Sequence, residues 1–226
     1  MQAKRLVITI DGPAASGKST TARKVAEKLG YLYVDTGAMY RAVTLEVLRR
    51  GVDPEDEQAI GKIVQSVSVA LKPGKDALQV ILNGVDVARD IRKPEVTRNV
   101  SAVSRVRAVR EFLVSLQRKL GAQGGVVLEG RDIGTVVFPG ADLKIFMVAD
   151  LDARSQRRTL EMRSQGLDAE DGAIAEEIRK RDLLDSTRAE SPLARAGEAI
   201  EVDTSRLSID QQVDFVVKKA KELLSR

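Results

Sequence analysis

The sequence predicts an α/β fold in which five parallel strands form a sheet flanked by helices. Two features of its 226 residues lead to this prediction. Short apolar runs rich in Val and Ile alternate with amphipathic runs of helical period, which is the pattern of a doubly wound sheet. A glycine-rich loop also joins the first apolar run to the first amphipathic run, and in such folds ligands bind at the carboxyl ends of the strands.

The first quarter of the chain predicts two strand-and-helix pairs. The strand VITID ends at Asp11, and the helix that follows the loop covers Lys18 to Leu29. Gly30 then supplies the left-handed residue that commonly ends a helix. A second strand, YLYV, ends at Asp35, and the helix AMYRAVTLEVLRR ends at Gly51.

The next segment predicts a third helix and then an antiparallel insertion. Asp53 followed by Pro54 is typical of an N-cap with proline at the first helical position, so we expect a helix through EDEQAIGKIVQSV. Three strand-like runs follow, VSVALK, ALQVILN and VDVAR. Because Asn83-Gly84 is a strong hairpin signal, we expect a small antiparallel sheet over roughly Val67 to Arg89.

The second half returns to the alternating pattern. One long helix is predicted for VSAVSRVRAVREFLVSLQRKLGAQ, and VVLEGRDIG predicts a buried strand with a polar turn at Glu129 to Asp132. LKIFMVA is the next buried strand, and we expect Asp152 to cap the arginine-rich helix after it. A helix AIAEEIRKRDLLDSTR and a last strand AIEVDTS follow, and Ser208 with Gln211 predicts a capping box for the C-terminal helix.

Composition excludes several kinds of chemistry. The chain contains no cysteine and no histidine, which excludes disulfides, Cys/His zinc sites, thiol nucleophiles and imidazole catalysis. The chemistry must therefore use Asp, Glu, Lys, Arg, Ser or Thr. A net charge of +4 is modest enough for an ordinary solvated surface, so we expect no nucleic-acid partner.

The same simple features set expectations for location and assembly. The N-terminal run MQAKRLVITIDG is too short and too polar for a signal peptide, and no apolar run is long enough to cross a bilayer. We therefore expect a cytoplasmic protein with no membrane partner. The lack of a distinctive apolar stripe favours a monomer.

The glycine-rich loop has the Walker A spacing, Gly12-x-x-x-x-Gly17-Lys18-Ser19. Backbone N–H groups can approach phosphate oxygens there, the lysine neutralises the β- and γ-phosphates, and the serine hydroxyl is suited to Mg²⁺. The predicted fold is thus P-loop NTPase-like, with Mg²⁺ as the cofactor bound with ATP. We expect these residues to bind the ATP phosphates: Gly12, Ala15, Ser16, Gly17, Lys18, Ser19 and Thr20.

Three classes of protein use such a loop: phosphotransferases, GTPase switches and non-catalytic nucleotide-binding modules. The switches carry Asn-Lys-x-Asp and Asp-x-x-Gly motifs, and neither occurs in this sequence. A phosphotransferase needs a second anion site, and the arginines are concentrated in the segments 98–110, 154–163 and 179–195. This distribution favours a phosphotransferase.

The motifs ITIDGPAASGKST, DTGAMYR, EGRDIGTVVFP, KIF, RKRD and DSTR occur in the order and spacing of bacterial cytidylate kinases, which the chain resembles from Val7 to its last helix. The resemblance implies transfer of the γ-phosphate of ATP to CMP or dCMP, giving CDP or dCDP plus ADP. It also implies a single kinase domain over 1–226, with an acceptor-binding flap at 61–104 and a short helical lid at 154–170.

The resemblance implies a role for each matching acceptor-site residue. The acceptor phosphate is gripped by Arg41, Arg131 and Arg188. The cytosine edge is read by Thr36, Arg110 and Asp132. The sugar hydroxyls are held by Ser101, Arg181 and Asp185. From the residues alone, Arg131 and Asp132 could instead form a simple ion pair, and Arg181 could pair along its helix with Asp185 or Glu177.

The lid carries the remaining arginines. Arg154 and Arg158 lie where the resembling kinases place one arginine on adenine and another on the donor phosphates, and Arg157 is an alternative to Arg158. Because like charges four residues apart disfavour a helix, we expect a bound anion to compensate them. The implied catalytic set is Lys18, Arg41, Arg131, Arg158 and Arg188.

The implied reaction needs no general base, because a nucleoside monophosphate attacks with an oxygen that is already anionic. The protein must align two polyanions and neutralise charge on the transferred group. Two alternatives remain open at this point. One is a nucleoside monophosphate kinase that prefers UMP or AMP, and the other is a P-loop module that binds ATP without catalysis.

Overall fold

The computed structural model describes residues 4–73, 78–164 and 171–225. The chain divides into two compact units, one made of Met1–Val34 with Gly121–Arg226 and the other of Asp35–Leu120. The described strands are β1 (Val7–Asp11), β2 (Leu32–Asp35), β3 (Val69–Pro73), β4 (Leu78–Leu82), β5 (Val85–Asp86), β6 (Val126–Gly130), β7 (Leu143–Val148) and β8 (Ile200–Asp203). The described α-helices are α1 (Lys18–Leu29), α2 (Thr36–Arg49), α3 (Glu57–Val64), α4 (Pro94–Arg105), α5 (Arg107–Gly121), α6 (Leu151–Ser164), α7 (Asp171–Thr187) and α8 (Ile209–Leu224).

The predicted parallel sheet is confirmed, with strand order β2-β6-β1-β7-β8. In the register of the central strand, Asp11 lies opposite Gly130 of β6 and Phe146 of β7. The carboxyl ends of these three strands therefore lie together at one edge of the sheet. The phosphate loop leaves β1 at this edge, and the segment after Gly130 leaves β6 beside it.

The core of the first unit explains why its central strands are rich in apolar residues. Ile8, Ile10 and Ile145 are fully or almost fully buried, and Val25 of α1 and Val213 of α8 pack in the same cluster. Burying an aliphatic side chain of this size stabilises the fold by about 1.5–3 kcal/mol. A strand covered on both faces needs apolar residues at successive positions, which is the pattern that VITI shows.

The predicted antiparallel insertion is also confirmed and lies in the second unit. Strand β3 pairs with β4, and β4 pairs with β5 across the turn at Asn83 and Gly84. Both turn residues have positive φ, 49° and 87°, as a type I′ turn requires. The Asn83 carboxamide oxygen also accepts a 2.9 Å hydrogen bond from the backbone N–H of Ser68. The turn between β3 and β4 lies outside the described residues.

Two predicted helix starts are wrong. Helix α3 begins at Glu57, and its N-cap is Asp56, whose carboxylate accepts from the N–H of Ala59 at 2.9 Å. Asp53 forms an earlier turn, in which it accepts from the N–H of Glu55. The cap of α6 is likewise Asp150, not Asp152, because the helix already begins at Leu151.

The long helix predicted through residues 100–123 is also wrong, because the chain forms two helices there. Val106 separates α4 from α5 with extended backbone angles, φ −66° and ψ 119°. Val103, Val106 and Val109 are all buried although they are three residues apart. Since a straight helix drifts away from a three-residue period, one extended residue lets both helices bury their apolar faces.

Other helix ends agree with the sequence. Gly30 is left-handed at the end of α1, with φ 64°. The capping box of α8 is present, with the Ser208 hydroxyl accepting from the N–H of Gln211 and the Gln211 side chain accepting from the N–H of Ser208. Among the helices in the described parts of the chain, none combines the length and apolar character that crossing a bilayer requires.

Candidate active site

The phosphate loop is tightly packed against the sheet. Gly12 has φ 149°, and a Cβ at this position would overlap the carbonyl oxygen of Met147 on β7. Only glycine therefore allows the chain to turn here. Ser19 and Thr20, in the first turn of α1, are exposed, so their hydroxyls are accessible.

Lys18 is buried, with 4% of its surface exposed. Its Nζ donates to the carbonyl oxygen of Pro13 at 2.6 Å and lies 3.5 Å from the hydroxyl of Ser16. Burial, together with the nearby charge of Arg131, lowers the pKa of Lys18 to about 7, while the Glu129 carboxylate opposes the shift. The hydrogen-bond partners of the ammonium are thus neutral oxygens, and burial with positive neighbours outweighs the Glu129 and Asp11 carboxylates, an environment that favours the arrival of an anion.

Hydrogen bonds from the residue after β8 and from α8 hold the phosphate loop and α1 in place. Thr204, just after β8, is fully buried, and its hydroxyl lies 2.8 Å from the carbonyl oxygen of Ser16. The guanidinium of Arg157 donates to that same hydroxyl at 3.1 Å and to the Thr204 carbonyl. Thr21 donates to the Gln212 side chain at 2.8 Å, which ties α1 to α8.

Arg131 and Asp185 form a buried ion pair at the end of β6. The Arg131 Nε donates to the Asp185 carboxylate at 2.8 Å, and their side chains are 18% and 8% exposed. Burial disfavours the charged form of each group, but the attraction between the two charges is larger. Arg131 and Arg181 therefore hold the pKa of Asp185 below its usual value, and Asp185 raises the pKa of Arg131. A residue predicted to hold the sugar, Asp185, thus pairs with a residue predicted to bind the phosphate, Arg131.

Arg188 and Asp132 form a second, looser contact in the same unit. Their charged atoms lie 3.7 Å apart, with side chains 7% and 6% exposed, and the Arg188 Nε donates to the carbonyl oxygen of Ser191 at 2.7 Å. Arg131 thus pairs with Asp185 of α7, and Asp132 lies near Arg188 in the segment after that helix.

The three lid arginines contact different partners, and that of Arg157 is Thr204. Arg154 donates to Asp182 of α7 at 2.5 Å and lies 3.4 Å from the carbonyl oxygen of Ala14 in the phosphate loop. Arg158 pairs with Glu161 on its own helix at 2.8 Å. Carboxylates thus lie against both arginines, and the compensation of their charge by a bound anion stays a prediction. Of the predicted lid, residues 165–170 lie outside the described residues.

The second unit holds the other predicted acceptor residues. Asp35 caps α2 by accepting from the N–H of Ala38 at 2.8 Å, and its second oxygen pairs with Arg41 at 3.0 Å. Thr36 is buried at the first position of α2. Arg110 is 4% exposed and lies over the ring of Tyr40, with its Cζ 5.8 Å from the centroid.

The Arg110 guanidinium also contacts the carbonyl oxygen of Ser104 at 3.4 Å. Ser101 lies one turn earlier on α4, where its own carbonyl oxygen accepts from the Ser104 hydroxyl. The second unit thus brings together Asp35 with Arg41, and Arg110 with Tyr40. The roles of these residues in binding a substrate remain predictions.

Asp11, at the end of β1, forms a contact that the sequence does not reveal. Its carboxylate accepts two backbone hydrogen bonds, from Ile133 at 2.9 Å and from Gly134 at 2.7 Å. Burial raises the pKa of Asp11 to about 6, although the two N–H groups oppose the shift. These N–H groups begin a π-helical turn, Ile133–Val137, that directly follows Arg131 and Asp132.

Comparison with known proteins identifies the family. The family model described as cytidylate kinase matches residues 8–222. The chain belongs to the cytidylate kinase family. A cytidylate kinase of Bacillus cytotoxicus is 48% identical over 223 residues, covering 99% of each chain. A cytidylate kinase of Bacillus thuringiensis is 49% identical over 214 residues, covering 95% of each chain.

Solved structures of other kinases share the fold of this cytidylate kinase family member. A gluconokinase from Sinorhizobium meliloti superposes with a TM-score of 0.51 and 13% identity, covering 99% of this chain and 96% of that one. A shikimate kinase from Bacteroides thetaiotaomicron has a TM-score of 0.50 and 13% identity, covering 99% and 100%. At such low identity the likeness concerns the fold alone.

Several residues near the predicted cytidylate kinase site were missed by sequence reasoning. They are the buried or paired polar residues that hold the predicted ones: Asp11, Asp35, Glu129, Asp182 and Thr204. The position of some of these residues in the sequence could have identified them. A carboxylate that directly follows apolar strand residues lies at the edge of a parallel sheet where ligands bind. Asp11, Asp35 and Glu129 all fit this description.

Proposed function

We propose that this chain is an ATP:CMP phosphotransferase, which moves the γ-phosphate of ATP to CMP or dCMP and releases ADP. The observation that carries the proposal is the joint presence of a Walker A loop and the cytidylate kinase motifs over residues 8–222. The named relatives at 48–49% identity support it over almost the whole chain. The alternatives, a kinase preferring UMP or AMP and a non-catalytic module, have no comparable support.

On the donor side, the phosphate loop binds ATP. The buried Lys18 leaves the carbonyl oxygen of Pro13 and donates to the β- and γ-phosphate oxygens, whose negative charge offsets the cost of burying the ammonium. Ser19 is the residue that would hold Mg²⁺, since its hydroxyl is exposed at the start of α1. When bound, Mg²⁺ supplies charge neutralisation between phosphate oxygens.

This assignment fits the donor set. The described residues include no cluster of three or more His, Cys, Asp or Glu side chains able to hold a metal ion. Mg²⁺ commonly retains waters and takes its other ligands from substrate phosphates, so a single hydroxyl at the loop is a sufficient protein contribution.

On the acceptor side, three arginines are assigned to the phosphate. Arg41, Arg131 and Arg188 bind the phosphate of CMP, because the planar guanidinium matches phosphate with two hydrogen bonds. Asp132 accepts from the N4 amino group of cytosine. Uracil presents an oxygen at the same place, so the carboxylate would lose its partner and meet a second acceptor.

The remaining acceptor residues complete the recognition of CMP. Arg110 and Thr36 bind the cytosine edge together with Asp132, and Ser101, Arg181 and Asp185 hold the sugar hydroxyls. The phosphate oxygen of CMP attacks as an anion, so no residue removes a proton. Alignment and charge neutralisation by Lys18 and the arginines supply the catalysis.

A coupled assay of ADP release tests this proposal. ATP and Mg²⁺ are supplied with CMP, dCMP, UMP, AMP or shikimate in separate reactions. We expect CMP and dCMP to give turnover far above the other three. Preference for UMP or AMP would contradict the base assignment, and ADP release that no acceptor increases would favour the non-catalytic module.

A further inference from the structure

Asp11 links the phosphate loop, which begins at Gly12, to the segment that follows β6, which contains Arg131 and Asp132. It is the last residue of β1, directly before Gly12, and its carboxylate reaches the segment after β6 through Ile133 and Gly134. We propose that Asp11 is a positioning residue that fixes Arg131 and Asp132 for acceptor binding. This proposal rests on the proposed function, because it gives these two residues the task of binding the acceptor.

The first argument is the unusual geometry of the turn. In Ile133–Val137 the hydrogen bonds run between residues five apart, from the N–H of Phe138 to the carbonyl of Ile133 at 2.7 Å and from the N–H of Val137 to the carbonyl of Asp132 at 3.3 Å. Such turns are rare and occur frequently at functional sites. The N–H groups that begin the turn lack partners within it, and the Asp11 carboxylate binds two of them.

The second argument is that the backbone of Asp132 is fixed from both directions. Its carbonyl oxygen accepts from the N–H groups of Val136 and Val137, while the next two N–H groups along the chain bind Asp11. Its backbone angles, φ −142° and ψ 24°, belong to neither a regular strand nor a helix. Asp11 therefore helps to decide the direction in which the Asp132 side chain leaves the backbone.

The third argument is the close packing of the turn on β1. A Cβ on Gly134 would lie 3.0 Å from the hydroxyl of Thr9 and 3.3 Å from the carboxylate of Asp11. A residue larger than glycine would push the turn away from the strand. Gly134 thus allows the turn to lie close to β1, and Asp11 holds the turn there through its hydrogen bonds.

The chemistry of the contact requires a carboxylate. Asp11 is 4% exposed, and each of its two oxygens faces one N–H donor. An asparagine of the same size can accept only one of these bonds, because its NH₂ group would face the other N–H. Asp11→Asn therefore keeps the volume and removes one of the two hydrogen bonds.

The test compares Asp11→Asn with Ser208→Ala in the full chain. Ser208→Ala also removes a side-chain acceptor of a backbone N–H, at the start of α8, in a residue outside the proposed site. We expect Asp11→Asn to raise the KM for CMP by about tenfold and to leave the KM for ATP within about twofold. Ser208→Ala should lower the Tm and leave both KM values unchanged.

A second readout follows the turn itself. Amide hydrogen exchange over residues 131–138 should become faster in Asp11→Asn and stay unchanged in Ser208→Ala. Equal increases in the KM for CMP and the KM for ATP, or a lower Tm with an unchanged KM for CMP, would overturn the proposal.

Gly134→Ala gives an independent test if Asp11→Asn does not fold. It leaves the carboxylate in place and displaces the turn from the other side, so the KM for CMP should again rise more than the KM for ATP. An unchanged KM for CMP would contradict the positioning role. If the wild-type protein prefers another nucleotide, the proposed function fails, and the same comparison with that nucleotide still decides the role of Asp11.

Discussion

The phosphate loop and the arginine pairs around α7 hold their positive charges in opposite ways. In the loop, Lys18 donates to the neutral carbonyl oxygen of Pro13, and burial lowers its pKa to about 7. Around α7, Arg131 pairs with the Asp185 carboxylate, and its pKa is raised despite burial. Both cations lie in the same unit and are well buried.

The difference shows two ways of keeping an anion site ready. A buried cation among dipoles costs free energy that a phosphate ligand can recover. A buried cation paired with a carboxylate is already balanced, so a ligand must take over part of that pairing. On this basis ATP binding should depend on the charge of Lys18, while binding at Arg154 should depend on competition with Asp182.

The largest effect is expected for Lys18→Met. Removing the cation that meets the transferred phosphoryl group should lower kcat by ~10²–10³-fold. The Tm should not fall, because the variant removes a buried charge that the fold does not pair with a carboxylate. Lys28→Met, at the exposed end of the same helix, is the matched control and should keep its kcat. A similar loss of kcat in both variants would contradict the comparison.

Asp132→Ala comes next and tests base recognition. We expect kcat/KM for CMP to fall about 10- to 100-fold more than kcat/KM for UMP, because only cytosine loses a hydrogen bond. The variant also deprives Arg188 of its nearby carboxylate, but that change affects the phosphate of both nucleotides equally. Equal losses for CMP and UMP would remove Asp132 from base recognition.

A smaller effect is expected for Asp182→Asn, which tests whether carboxylates compete with the ligand. Asp182 pairs with Arg154 next to the phosphate loop. Freeing this arginine should lower the KM for ATP by about two- to fivefold, because Arg154 must otherwise give up part of its pairing with Asp182. Glu176→Gln removes an exposed partner of Arg179 on the same helix and serves as the control. A higher KM for ATP in Asp182→Asn would show that the carboxylate positions Arg154 instead.

The smallest expected effect is the uptake of a proton by Lys18 when the ATP analogue binds. With a pKa of about 7, Lys18 is largely neutral at pH 8 in the free protein, and phosphate charge raises that pKa on binding. Calorimetry with a non-hydrolysable ATP analogue in buffers of different ionisation enthalpy should therefore show uptake approaching one proton at pH 8, and little uptake at pH 6. Affinity should weaken as the pH rises above 7. Lys18→Met should show no such uptake.

Much of the fold could be predicted because its signals are local. The alternation of strands and helices, the Asn83-Gly84 turn and the Ser208 capping box depend on residues within a few positions of one another. The errors arose where packing overrides local preference. Val106 is extended because both neighbouring helices bury their apolar faces, and Asp53 is followed by a turn that leaves the cap of α3 to Asp56.

The candidate site shows the same division. The Walker A spacing identifies Lys18 and Ser19, and the cytidylate kinase motifs identify the predicted arginines. The partners of Arg131 and Arg154 could not be predicted, because these partners are distant in sequence. Arg131 lies 54 positions from Asp185, and Arg154 lies 28 positions from Asp182.

The sequence by itself determined the family, the order of strands and helices and the identity of the phosphate loop, since each is encoded in contiguous residues. Only the tertiary structure decided which charges are paired with carboxylates and which lie among neutral oxygens. It also decided that Asp11 binds the turn at Ile133 and Gly134. The physical reason is that parallel strands bring their carboxyl ends together regardless of their separation along the chain, and burial there makes each charge depend on its neighbours.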